Sequence, residues 1–148
     1  MTWLVTGGAG YIGAHVVRAF RDQDLPAVAL DDLSSGRREF VPDDVPFVEC
    51  NVLDTDAVRA AIVEHQVTGV VHLAGFKYAG VSVERPLHTY DQNVTGMVSL
   101  LRAMQDHSVD RIVFSSSAAT FGTPETEYVT EESPERPPSL PRRVFLCP

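Results

Sequence analysis

Three glycines, Gly7, Gly10 and Gly13, recur at three-residue intervals in the run Thr6-Gly7-Gly8-Ala9-Gly10-Tyr11-Ile12-Gly13. That spacing suits the approach of a pyrophosphate to bare backbone. Gly7 can take backbone angles that a Cβ forbids. Gly10 leaves room for the anion, and Gly13 lets a following helix pack closely on a sheet. Free N–H groups at the helix start, aided by the helix dipole, then hold the negative charge. Context strengthens the motif: a short apolar strand precedes it, helical spacing follows, and a second strand comes within about 25 residues. Asp31 ends that second strand. A carboxylate there accepts from adenosine ribose hydroxyls and repels a 2′-phosphate, which favours NAD over NADP. Arg37 and Arg38 lie just downstream and are the groups that would serve NADP instead. A turn or capping aspartate is the other reading of Asp31. Ser115-Ser116-Ser117 forms a polar end to an apolar run and is the remaining cluster with chemistry to offer.

The elements that must position these groups alternate. Trp3 to Thr6 predicts a strand, and Tyr11 to about Arg21 a helix with Ile12, Val16, Val17 and Phe20 at helical spacing. Further strands are expected over Ala27–Leu30, Val45–Val48, Gly69–Leu73 and Arg111–Phe114. Asp54 is a plausible N-cap for a helix through His65. A long helix is expected from His88 to Asp106, with Val94, Met97, Val98, Leu101 and Met104 on its buried face. Strand–helix alternation implies right-handed crossovers and a doubly wound parallel α/β sheet of Rossmann type, in order 3-2-1-4-5. We expect five strands, the sheet stopping before a sixth, so that Ile112-Val113-Phe114 is an open edge prone to association.

Composition bounds the function. The 148 residues are 44% hydrophobic and fit one domain. A net charge of −8 argues against nucleic acid or an anionic membrane as partner. No run approaches a membrane span. Cys50 and Cys147 belong to no metal or disulfide pattern, and the five histidines show no zinc spacing, so we expect no metal and a reducing cytoplasm. His72 reads as a satisfied core residue.

TGGAGYIGAH, LDDLSSG, HLAGFKYAGVSVERPLHTYDQNVTG and FSSSAATFG together resemble the extended short-chain dehydrogenase/reductases. Within them, Ala-Gly-Phe-Lys followed by Ser-Val-Glu-Arg-Pro resembles the UDP-glucose 4-epimerases, over Met1 to about Pro134. The resemblance implies an isomerase of galactose metabolism that uses NAD on a UDP-sugar, usually as a homodimer. It implies that Tyr11 and Ile12 line the pyrophosphate and that Asp31, Asp32, Leu33, Ser34, Ser35 and Gly36 surround the adenosine. Asn51-Val52 would stand against the adenine, where the family usually has Asp-Ile or Asp-Val. Leu73, Ala74, Gly75, Phe76 and Lys77 would run beneath the cofactor. Gln92 or Asn93 would steady that site. Ser117 would bond the sugar 4-hydroxyl as the one catalytic group present, with Ala118 and Ala119 bordering the sugar.

The family's Tyr-x-x-x-Lys pair departs from this pattern. Resemblance places it near position 141, where the chain has Pro141, with Phe145 near the lysine's place. Lys77 is the chain's single lysine, and Leu73 stands four residues before it. From Thr130 onward prolines accumulate (Pro134, Pro137, Pro138, Pro141), which excludes helix and central strand. We therefore expect an incomplete NAD-binding domain over 1–128 and a disordered, non-family tail over 129–148, as in a truncated or frame-shifted epimerase product. Alternatives are a catalytically dead NAD-binding fragment and another extended-family nucleotide-sugar dehydratase or decarboxylase.

Overall fold

Residues 1–123 and 128–135 are described by a computed structural model, apart from the side chains of residues 79 and 119. The elements run β1 (Thr2–Thr6), α1 (Tyr11–Asp22), β2 (Ala27–Asp31), β3 (Phe47–Glu49), α2 (Thr55–Glu64) and β4 (Val67–His72). They continue with α3 (Ala79–Glu84), α4 (Pro86–Tyr90), a π-helical turn (Asp91–Thr95), α5 (Gly96–Asp106) and β5 (Ile112–Phe114). All strand pairs are parallel and the order is β3-β2-β1-β4-β5, as expected. Connections leave β1 in one direction and β4 in the other. A crevice therefore opens at the carboxyl ends of β1 and β4, where doubly wound sheets take ligands.

Alternation along the strands feeds two cores, one on each face. Leu4, Val28, Leu30 and Val70 pack with Val58 and Ile62 of α2 and Leu100 and Met104 of α5. Val5, Ala29 and Val71 pack on the other face with Val17 of α1, Val41 and Val45. Asp54 caps α2 as expected, its carboxylate accepting from Ala57 N at 3.0 Å.

Two expectations need correction. The third strand begins at Phe47, not Val45, because Val45 closes a turn onto Pro42 O (3.1 Å) and Pro46 has no N–H for the ladder. The long helix begins earlier, at Pro86, and carries the π-helical turn before α5. Its buried face is also different: Gly96, Ser99, Leu100, Ala103 and Met104 are buried, while Val94, Val98 and Leu101 are exposed. Close packing explains the change. Ser99 Oγ lies 2.7 Å from Thr55 Oγ1, and a Cβ on Gly96 would meet Val52 Cγ2 at 2.8 Å. Small residues are needed where these elements touch, so Val94, Val98 and Leu101 face outward while Leu100 and Met104 enter the core.

Among the described residues β5 has a neighbouring strand on one side only, and its three side chains are all exposed. No helix among the described residues is long and apolar enough to cross a membrane. The expected tail falls outside the described residues from 136 onward, as does Cys147.

Candidate functional site

The glycine turn lies at the carboxyl end of β1. Gly7 has φ +69°, and a Cβ there would meet Ala74 N at 2.8 Å. Gly10 N donates to Gly7 O at 3.0 Å, and Ala14 N to Gly10 O at 2.9 Å. Gly10 caps α1 with no side chain, and no acidic residue occupies the first turn. The N–H groups of Tyr11, Ile12 and Gly13 therefore lack an intrahelical acceptor. Tyr11 and Ile12 have exposed side chains. A positive helix end, open N–H groups and a floor with no Cβ together fit a phosphate.

One wall is the loop after β2. Asp31 is buried; its Oδ2 accepts from Ala9 N at 3.0 Å and its Oδ1 from Leu33 N at 2.8 Å. The second bond holds Leu33 in the left-handed region at φ +56°. Gly36 packs on the carboxylate, since a Cβ would meet Asp31 Oδ1 at 2.7 Å. Arg37 N donates to Ala9 O at 2.9 Å, which ties this loop across the glycine turn. Both arginines are engaged locally. Arg37 sits 5.9 Å over Phe40, and Arg38 sits 5.0 Å over Phe47 and donates to Val41 O at 2.9 Å.

Asp32 faces a different set. It accepts from Ser34 N (2.9 Å), Ser34 Oγ (2.6 Å) and Asn51 Nδ2 (2.6 Å). Partial burial pushes its carboxyl up, but these bonds outweigh burial and hold it below the ordinary value. Ser34 and Ser35 are exposed. Val52, expected beside the adenine, points its side chain into the core.

The opposite wall is the segment Leu73–Lys77 leaving β4. Leu73 N donates to Thr6 O at 3.1 Å, and Ala74 N to Thr6 Oγ1 at 3.4 Å. Asn93 grips Phe76 from both sides, accepting from its N–H at 2.6 Å and donating to its carbonyl at 2.9 Å. Gly75 lies beneath, where a Cβ would come 3.4 Å from Asn93 Oδ1. Gln92 turns the other way, toward Asn51 (3.2 Å). The structure thus separates two neighbours that sequence left equivalent. We expect Asn93→Ala to cost about 2 kcal/mol, because it removes two hydrogen bonds to the backbone of Phe76. Thermal unfolding and hydrogen exchange at the Phe76 amide would measure it; unchanged exchange would contradict it. Lys77 is exposed beyond this grip.

Sequence reasoning missed one pair as a unit. Thr6 Oγ1 lies 2.7 Å from His72 Nδ1, both residues being buried, and joins the ends of β1 and β4. Burial pushes His72 down to about 4. The residues are 66 apart, so only the parallel β1–β4 register, Thr6 opposite His72, brings them together. Ser117 lies past the carboxyl end of β5, its carbonyl accepting from Thr120 N (3.1 Å) and Thr120 Oγ1 (2.8 Å) in the turn Ala118–Phe121. It therefore shares the carboxyl end of the sheet with the glycine turn and the 73–77 segment.

A model of the NAD dependent epimerase/dehydratase family matches residues 3–145. UDP-glucose 4-epimerase of Azospirillum brasilense is 43% identical over 134 residues, covering 90% of this chain and 38% of the relative. That of Lactobacillus helveticus is 42% identical over 137 residues, covering 93% and 42%. The chain thus spans about two fifths of the length of these curated relatives. Among solved structures, the Thermus thermophilus UDP-glucose 4-epimerase in complex with NAD superposes with a TM-score of 0.86 at 40% identity, over 93% of this chain and 45% of that one. The Bifidobacterium longum enzyme with NAD+ and UDP gives 0.85 at 31%, over 92% and 43%. Sheet order, glycine turn and a family match over nearly the whole chain agree: the protein belongs to the NAD dependent epimerase/dehydratase family.

Proposed function

We propose that these residues form the NAD-holding part of a nucleotide-sugar epimerase acting on UDP-glucose and UDP-galactose. The observation that carries the reading is the bare glycine cradle at the start of α1, at the sheet's switch point and closed by the 73–77 segment. When bound, NAD supplies a hydride acceptor for C4 of the sugar and returns the hydride to the other face. The N–H groups of Tyr11, Ile12 and Gly13 hold the pyrophosphate. Asp31 keeps a lone pair on each oxygen for ribose hydroxyls, and Asp32 to Gly36 border the adenosine. Asn51 and Gln92 flank the adenine. Leu73 to Lys77, gripped by Asn93, form the floor. Ser117 bonds the sugar hydroxyl, with Ala118 and Ala119 beside it. NADP is disfavoured because Asp31 repels a 2′-phosphate while Arg37 and Arg38 stack on Phe40 and Phe47. A homodimer would cover part of the exposed stripe Leu87, Tyr90, Val94, Val98 and Leu101. A cytoplasmic enzyme suits this chemistry.

One observation favours a second reading, dinucleotide binding without turnover. The single lysine follows Leu73 by four residues, so these 148 residues contain no Tyr-x-x-x-Lys to move the hydroxyl proton. Titration with NAD and an assay for conversion of UDP-galactose to UDP-glucose distinguish the readings. We expect saturable NAD binding and no conversion by this chain alone. Conversion would overturn the second reading, and absence of NAD binding would overturn both.

A further inference from the structure

The strongest unassigned arrangement is a relay of polar side chains across three elements. Asp32 follows β2, Asn51 follows β3, and Gln92 lies in the π-helical turn. Asn51 Nδ2 donates to Asp32 Oδ2 (2.6 Å) and to Gln92 Oε1 (3.2 Å), while Asn51 Oδ1 accepts from Leu53 N (2.9 Å). An amide can point either way, and its neighbours decide. Asp32 is held ionised by Ser34 and Asn51, so it only accepts. The Asn51 atom facing it must be nitrogen. Leu53 N only donates, so the Asn51 atom facing it must be oxygen. Both constraints give one orientation. Gln92 must then turn its oxygen to the Asn51 nitrogen, which leaves its Nε2 hydrogens unpaired among the described residues.

The relay fixes what remains for a ligand: one lone pair on Asn51 Oδ1 and the N–H groups of Gln92 Nε2. Adenine offers the complement, with a 6-amino donor beside a ring-nitrogen acceptor. Hypoxanthine offers the reverse on the same edge, a 6-oxo acceptor beside a ring N–H donor. Resting on the reading of this crevice as the dinucleotide site, we propose that Asp32 is a specificity-determining positioning residue. Its charge, together with the Leu53 N–H, holds Asn51, and through it Gln92, in the orientation that accepts adenine and rejects 6-oxopurines.

The chain as it stands is titrated with NAD and with nicotinamide hypoxanthine dinucleotide, and the ratio of affinities is the readout. We expect NAD to bind at least about tenfold more tightly, the scale of one hydrogen-bond mismatch. Asp32→Asn leaves the Leu53 N–H alone to oppose a flip of Asn51, and lowers that ratio severalfold. Asn51→Asp sets two carboxylates together and weakens NAD binding, and Asp32→Asn in the same chain restores it. Gln92→Leu lowers the ratio without touching Asp32, and melting temperatures separate misfolding from altered recognition. A folded Asp32→Asn variant with an unchanged ratio overturns the proposal. Equal binding of both dinucleotides by the unmodified chain also overturns it, yet leaves the cofactor-site reading intact. Failure to bind either overturns both.

Discussion

Gly13→Ala is expected to destabilise the chain by about 1–3 kcal/mol and to abolish dinucleotide binding. Gly13 is buried in the first turn of α1, and its missing Cβ points at the glycine turn. A methyl there would collide with the carbonyl oxygen of Gly7 and come within 2.7 Å of its carbonyl carbon and 2.9 Å of Gly8 Cα. All three atoms are backbone, so no rotamer change relieves the overlap. Either α1 lifts from the sheet or the turn moves, and the turn is already tied on both sides through Ala9 and Thr6. Gly10→Ala supplies the contrast. Its Cβ would meet only Gly7 O, at 3.2 Å, so the melting temperature should fall little. The methyl would instead stand where the pyrophosphate approaches, and NAD binding should be lost. Thermal unfolding and NAD titration of both variants separate room for packing from room for a ligand. A Gly13→Ala chain that melts like the parent would contradict the geometry.

Legibility in the sequence followed the range of the interaction. The glycine turn, the Asp54 cap and the strand order rest on local spacing and on general rules of chain connection, and these were readable. The buried face of α5 was not, because hydrophobicity favoured Val94, Val98 and Leu101 while close approach to α2 and Val52 required Gly96, Ser99 and Ala103. Asn93 and Gln92 were indistinguishable for a related reason. Adjacent residues on a helix diverge by about 100°, and the π-helical turn they occupy shifts that phase. The role of Asp32 also stayed hidden. Its partner Asn51 is 19 residues away and meets it only because β2 and β3 are neighbours with Asp31 opposite Glu49.

Acid should weaken this fold through His72 before most carboxylates titrate. The imidazole is buried between the ends of β1 and β4, stacked on Phe114 at 5.9 Å, and shares a hydrogen bond with Thr6 Oγ1 through Nδ1. Ala74 N donates to the same Thr6 Oγ1, so one hydroxyl links the ring to the 73–77 segment. Burial lowers its folded pKa from 6.5 to about 4. Above 6.5 neither folded nor unfolded chain protonates this ring, and its stability is fully present. As pH falls below 6.5 the unfolded chain takes a proton that the folded chain refuses, so stability declines. The loss levels off near pH 4 at roughly 3 kcal/mol, a large share for one domain. His72→Asn keeps an acceptor for Thr6 but cannot titrate, so its stability should be flatter than the parent's between pH 6.5 and 4. Denaturant unfolding across that range, with imidazole resonances followed by NMR, tests both points. A folded-state imidazole titrating near 6.5, or parallel pH profiles for parent and variant, would show that His72 does not carry the acid sensitivity.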